Sequence, residues 1–374
     1  MNRRAVAFIL LAILIVFCSG CWDLLDISER AFVSGMALDL AGDREHPAYK
    51  VTVIIWKPIR IREQSFETVT NSFTVEAPTL TKAFQKLQTK ISRHISFFHL
   101  RIVLIGEKLA SRDTRDIVDF IEKSPEIALR TRFAFIRDEK PNSIIKANPS
   151  FERSIAGELA NLVHPDKRLG LMKSTNYLTL VRELDESKGT ALGTEITIEE
   201  DDSETIPVSE GAAVIKDWKL AGWLNGEETQ AANWFNGGPT AVIEGKLDGG
   251  TFSYFVDNKS ARIEPIIDGN QLRFKVKIKT IGLILEEKLK QKDLSKPKTL
   301  ARLEKEFARV IERQVNNAIE KSQNEFEADY LGFGRALKSS FPEVYDRIKW
   351  QEVYPKVPIW VNVEAKISRY GIAN

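Results

Sequence analysis

With 374 residues, 43% of them hydrophobic and 28% charged, the chain has the make-up of a globular protein of two or three domains, each large enough for its own core. Its 54 Lys and Arg balance 52 Asp and Glu with the signs interspersed, which argues against a nucleic-acid binder or a polybasic membrane patch. Beyond the first 20 residues no apolar stretch approaches the roughly 18 residues that a membrane-spanning helix needs.

The first element is an address. Arg3 and Arg4 precede an unbroken apolar run over residues 5–17, followed by Cys18-Ser19-Gly20-Cys21. The run has the length of a signal-peptide core, roughly 7–15 residues, and is too short to cross a bilayer. Ser19 and Gly20 before Cys21 suit a lipoprotein signal peptidase, although Cys18 stands where Leu is usual. The expectation is a signal peptide over residues 1–20, cleavage between Gly20 and Cys21, and a diacylglycerol on the Cys21 sulfur. Two acyl chains, at about 0.8 kcal/mol per buried CH₂, anchor a protein stably where one holds it only marginally. An uncleaved anchor, or an ordinary signal that happens to hold a cysteine, is the alternative. Cleavage removes Arg3, Arg4 and no acid, leaving 52 basic and 52 acidic residues. Cys18 leaves with the signal and Cys21 is lipidated, so the mature body is expected to have no disulfide, thiolate zinc site or cysteine nucleophile.

Residues 22–30 read as a linker or short helix, 31–40 as a buried strand, 49–56 as a strand stopped by Pro58, and 71–76 as a shorter third. Thr79 opens a helix in which Leu80, Ala83, Phe84, Leu87 and Ile91 recur at helical spacing. Strand 100–105 closes at Gly106, helix 113–122 carries Ile117, Val118 and Ile121, and 131–136 is strand again. This alternation predicts an α/β or α+β unit. Helical patterns at 151–163 and 176–184 complete a first domain, residues 21–190. The adjacent acids Glu199 to Asp202 predict an exposed loop; a calcium loop is the sharper alternative, but the spaced ligands and turn glycine are missing. A small middle domain over 191–240 is expected to hold a hairpin turning at Lys216-Asp217 and a helix up to Trp234, ended by Gly237-Gly238-Pro239.

The last domain, 241–374, is expected to be an antiparallel sheet with helices packed on one face. Strands 251–256 and 261–267 are separated by Asp257-Asn258, and strand 272–285 alternates Phe274, Val276 and Ile278 with Arg273, Lys275, Lys277 and Lys279. That basic stripe reads as a solvated face; a phosphate-binding surface is the alternative. A long amphipathic helix from Leu300 to Ile319, helices at 330–339 and 342–350, and a strand through Ile359, Val361 and Val363 follow. The fold class is therefore α+β, mixed α/β, a multi-domain body of mixed and antiparallel sheets.

Catalytic and cofactor signatures are missing. His94 and His99 fall on different faces of a helix or a strand, His46 and His164 stand alone, and Gly332-Phe333-Gly334 lacks the third glycine of a dinucleotide loop. The expectation is no enzyme activity, no catalytic residues, no metal, no cofactor and no nucleic acid.

Several stretches resemble one family. Cys21-Trp22-Asp23 with Ile27, Glu29, Ala31-Phe32-Val33, Gly35 and Asp39 is similar to the mature start of the spore germination Ger(x)C lipoproteins. So are Tyr49 to Val53, Phe98-His99 with Ile102 to Glu107, and Gly222-Trp223-Leu224 with Glu227-Glu228-Thr229. The closing segment, Asp329, Gly332-Phe333-Gly334, Phe341-Pro342, Tyr345, Trp350, Val361-Asn362-Val363, Arg369 and Gly371, resembles the family's end. Leu24, Ser124-Pro125 and Ala231-Ala232 depart from its pattern. The resemblance implies a three-domain lipoprotein subunit of a nutrient germinant receptor on the outer leaflet of the inner spore membrane. Its partners would be the two integral membrane A and B subunits, met by protein contacts and not catalysis. A solute-binding lipoprotein of a membrane transporter is the alternative, and it requires two parallel-sheet lobes.

Overall fold

A computed structural model describes residues 29–42, 48–62, 65–138, 141–147, 149–165, 170–201, 204–235, 241–269, 271–288 and 296–370. The first 224 residues contribute β1 (Arg30–Ala41), β2 (Ala48–Arg62), β3 (Ser65–Ala77), α1 (Leu80–Lys90), β4 (His94–Ser96), β5 (Ile102–Gly106), α2 (Glu107–Ala110) and α3 (Arg115–Glu122). There follow β6 (Arg132–Ile136), α4 (Pro141–Lys146), α5 (Ile155–Leu162), α6 (Tyr177–Glu186), β7 (Ala191–Asp201), β8 (Glu204–Val208), β9 (Ala212–Lys216) and β10 (Lys219–Leu224). They form one mixed sheet in the order β10-β9-β7-β6-β5-β1-β2-β3, with β4 beside β1 and β8 beside β7. β1, β5, β6 and β7 run parallel, and β2, β3, β9 and β10 are added antiparallel.

Alternation along these strands sends apolar side chains to both faces, so both must be covered. Val103, Ile105, Phe133 and Phe135 meet α1, α3 and α6 through Leu80, Leu87, Ile117, Ile121, Leu180 and Leu184. Ile102, Leu104, Ala134 and Ile136 meet α4 and α5 through Ile144, Ile155 and Leu159. The helices start where the side chains allow: Thr79 accepts the Lys82 amide at 3.2 Å, and Asn176 with Thr179 makes a reciprocal cap on α6.

Three local expectations are corrected here. β2 does not stop at Pro58 but runs on to Arg62, paired only with β3 beyond Trp56, where a missing N–H leaves no ladder bond unmade on the open side. Glu199 and Glu200 lie in β7 and not in a loop: the strand projects past the core as a hairpin with β8, and alternation points neighbouring acids to opposite, solvated sides. The strands from 191 to 224, placed by sequence in the middle domain, hydrogen-bond to this first sheet.

The remainder begins with α7 (Gly226–Asn233), capped by Asn225 and Glu228 in reciprocal hydrogen bonds. It contains β11 (Ala241–Leu247), β12 (Gly250–Asp268), β13 (Gln271–Lys288), α8 (Pro297–Glu320), α9 (Phe333–Ser340), α10 (Pro342–Arg347), α11 (Trp350–Val353) and β14 (Ile359–Tyr370). The sheet order is β11-β12-β13-β14. Expected as two strands, 251–267 is one, irregular at Val256/Asn258. Expected as antiparallel, β14 pairs parallel to β13, because the long α8 carries the chain back along the sheet before it re-enters. α8 buries Leu303, Phe307, Val310, Ile311, Val315, Ala318 and Ile319, and Phe307 stacks on Tyr254 at 4.6 Å. Among the described residues there is no second parallel-sheet lobe of the kind a solute-binding protein requires.

The two sheets share a core. Leu192, Ala212, Val214 and Leu224 of the first sheet pack with Trp234 and the interior of the second. At the joint, the Lys216 ammonium donates to the Phe326 carbonyl at 2.9 Å, and Gln351 donates to the Lys188 carbonyl and to Asp217.

Beside that joint lies the buried carboxylate of Asp329. One oxygen accepts the amides of Gly332 and Phe333 at 2.9 and 3.0 Å, the other the amide of Gly334 and the Trp350 indole N–H at 3.0 Å. These amides are the orphan donors at the start of α9. Burial pushes the Asp329 carboxyl up, and the four donors oppose the shift. The two glycines have separate reasons: Gly332 has φ +94°, and a Cβ on Gly334 would lie 2.5 Å from the Trp350 indole nitrogen. At about 1 kcal/mol or more per stranded donor, Asp329→Ala is expected to destabilise the protein by roughly 4 kcal/mol. Asp329→Asn, whose NH₂ would face two of the donors, is expected to lose about half as much. Urea midpoints of the two variants check both values.

Candidate functional site

Gly20 and Cys21, with every residue before Glu29, lie outside the described residues. The structure does place the end from which that segment leaves. β1 starts at Arg30, beside His94 of β4, at the edge where β5 and β6 also start. Arg101 and Arg132 immediately precede or open those strands, tied by the Arg101 amide to the Ser34 carbonyl and the Arg132 amide to the Arg101 carbonyl, both 2.9 Å.

A cleft of about 780 Å³ opens at this edge, between the strand starts, the 151–154 segment and the last turn of α5. Trp56, His99, Arg101, Arg130, Arg132 and Arg153 are among its lining residues. The His99 ring packs edge-on against Phe32 at 4.7 Å and Trp56 at 6.4 Å. The Arg101 guanidinium donates to Asn161 at 2.9 Å and lies over Gly157, where an added Cβ would come within 2.9 Å of it. Four arginines and the rings of Trp56, Phe98 and Phe151 share the lining with Glu152, a composition in which guanidiniums stand beside apolar surface.

His94 and His99 are separated as their spacing predicts, His94 pairing beside Arg30 and His99 facing the cleft. His99 and His164, 65 positions apart in sequence, both line the cleft. Among the described residues no group of three His, Cys, Asp or Glu could hold a metal ion.

The basic stripe of β13 is a charge ladder on a solvated sheet face. Lys277 pairs with Glu264 at 2.8 Å, Lys279 with Glu364 at 3.3 Å and Arg273 with Asp268 at 3.2 Å. The Lys277 hydrogen bond holds Glu264 below the usual carboxylate range, and the Lys279 hydrogen bond does the same for Glu364. With acids interleaved from both neighbouring strands, the stripe carries little net field for a phosphate.

Elsewhere Glu195 is buried and Lys259 half-buried. Glu195 is held by Arg137 at 3.2 Å and burial raises its carboxyl above the ordinary value. Lys259 extends along the Trp234 ring, 5.0 Å from its centroid, and donates to the Asn233 carbonyl at 3.1 Å. Desolvation lowers its ammonium to about 8.

Residues 23–198 match the family described as the spore germination protein N-terminal domain, and residues 210–371 that described as spore germination B3/GerAC like, C-terminal. Spore germination protein KC of Bacillus subtilis is 24% identical over 100% of this chain and 98% of its own length. Spore germination protein B3 of the same organism is 22% identical over 99% of each chain, and spore germination protein A3 is 25% identical over 90% of each. The crystal structure of the GerBC protein superposes with a TM-score of 0.60 and 19% identity, covering 89% of this chain and 97% of that one, and supports the mixed α/β fold.

Lys259 gives a test of the joint between the sheets. Between pH 8 and 10 the unfolded chain keeps this proton while the folded chain releases it, so the position contributes a rise in stability with pH through that interval. Lys259→Met is expected to flatten the rise, as measured by urea midpoints at pH 7.5, 8.5 and 9.5.

Proposed function

Because the chain belongs to the Ger(x)C family of spore germination proteins, we propose that it is the lipid-anchored subunit of a nutrient germinant receptor, working through protein contacts and not catalysis. The observation that carries the reading is the pair of family matches, which together span residues 23–198 and 210–371. The mixed α/β body and the Ser19-Gly20-Cys21 sequence after a short apolar run agree with it. In this reading Cys21 carries the lipid after cleavage at Gly20, and the body sits on the outer leaflet of the inner spore membrane beside the A and B membrane subunits. No helix among the described residues is long and apolar enough to cross a membrane.

The anchor has a quantitative purpose. Confinement to the membrane raises the effective concentration of a partner in the same membrane toward the millimolar range, so a weak interface stays occupied. Cys21→Ala is expected to abolish incorporation of radioactive palmitate and to leave spores that respond poorly to the receptor's nutrient. The same spores should still germinate with triggers that bypass receptors. Unchanged palmitate labelling would overturn the lipidation site. A normal nutrient response from spores with verified untethered protein, in a strain without other receptors for that nutrient, would overturn the tethered role.

A further inference from the structure

Five arginines from four separate stretches of the chain lie at the edge of the first sheet from which the N-terminal segment leaves. Arg101, Arg130, Arg132 and Arg153 line the cleft, and Arg30 places its guanidinium 5.8 Å from the centre of the Phe98 ring. Apolar side chains stand out into water around them: Phe151 is 93% exposed, Phe98 58% and Leu129 57%. Of the nearby acids Glu152 itself lines the cleft, and three accept hydrogen bonds from neighbouring residues. Glu158 accepts the amides of Phe151 and Glu152, Glu126 accepts the amide of Phe97, and Glu152 accepts from Asn161.

Exposed rings interleaved with guanidiniums are the composition of a surface that meets the polar layer of a bilayer. Rings and Leu side chains enter the acyl boundary, while arginine pairs with phosphate in a bidentate fork. The position of the chain start selects this occupant over others. Nine residue steps separate Cys21 from Arg30, and a fully extended chain spans about 3.3–3.6 Å per residue, so the tether can hold this edge no farther than about 30 Å from a lipid on Cys21. We propose that this edge docks on anionic phospholipid, with a headgroup phosphate in the arginine cleft and Phe98, Leu129 and Phe151 in the interface. The proposal rests on the reading of Cys21 as the lipid site, since the tether sets which edge faces the membrane.

The test uses the full-length lipidated protein in phosphatidylcholine vesicles, with or without phosphatidylglycerol and with a nitroxide-labelled headgroup as quencher. A thiol dye is placed at Phe151→Cys or, at the opposite edge just after β5, at the exposed Lys108→Cys. A Cys21 that carries lipid takes no thiol dye, so labelling of the unsubstituted chain would show that the anchor reading has failed, independently of docking. Docking predicts strong quenching at 151 only with phosphatidylglycerol, and weak quenching at 108 throughout. Arg130→Ala with Arg153→Ala, both exposed positions, should lower the docked-to-undocked ratio about 30-fold, at about 1 kcal/mol per arginine near an anionic surface. Equal quenching at the two sites, indifference to phosphatidylglycerol or to the arginines, or protection of position 151 only after the receptor's membrane proteins are added would overturn the proposal.

Discussion

Everything in this molecule follows from a sheet whose two faces are both apolar. Val103, Ile105, Phe133 and Phe135 point one way and Ile102, Leu104, Ala134 and Ile136 the other, so neither face can be left to solvent. Helices α1, α3 and α6 pack on one face. On the other, α4 and α5 pack on the central strands, and the C-terminal unit packs on Leu192, Ala212 and Val214. The second half of the chain thus supplies part of the first sheet's cover.

The Asp329 knot is what gives that cover a fixed shape. A single carboxylate gathers the first amides of α9 and the indole of Trp350, which in turn packs edge-to-face on Phe274 of the second sheet at 5.9 Å. Tyr354, reached from Ser322 by a short hydrogen bond and from Gln323 at its carbonyl, fastens the end of α8 to the same cluster. Phe333, Tyr345, Trp350 and Tyr354, scattered in sequence, are one packed aromatic group beside the buried Asp329.

The cleft lies at the starts of the parallel strands. Ligands of open α/β sheets ordinarily sit at the carboxyl ends. Here that opposite edge is occupied by Glu107, Arg137, Glu195 and Trp223, which bond to one another, while the arginine-lined cleft lies where the tether leaves.

Local chemistry settled much of this protein before any folding. The Arg3 to Cys21 segment shows the pattern of a lipoprotein signal within 19 residues, the helical stripe of α8 and the alternation of β13 are visible as periodicities, and the family resemblance rests on contiguous blocks. These are short-range signals, read by spacing alone. Strand partners and directions were not legible in that way. Pro58 continues a strand because no neighbour needs its N–H, β14 runs parallel because of where α8 delivers it, and Glu199 and Glu200 are strand residues because β8 returns beside them. Charge is the sharpest case. A balanced composition with interspersed signs argued against a basic membrane patch, yet folding sorts Arg30, Arg101, Arg130, Arg132 and Arg153 onto one edge and pairs the basic stripe of β13 with acids. Composition counts charges, but only the tertiary fold decides which of them share a surface, because the contacts that bring them together span up to more than a hundred residues of chain.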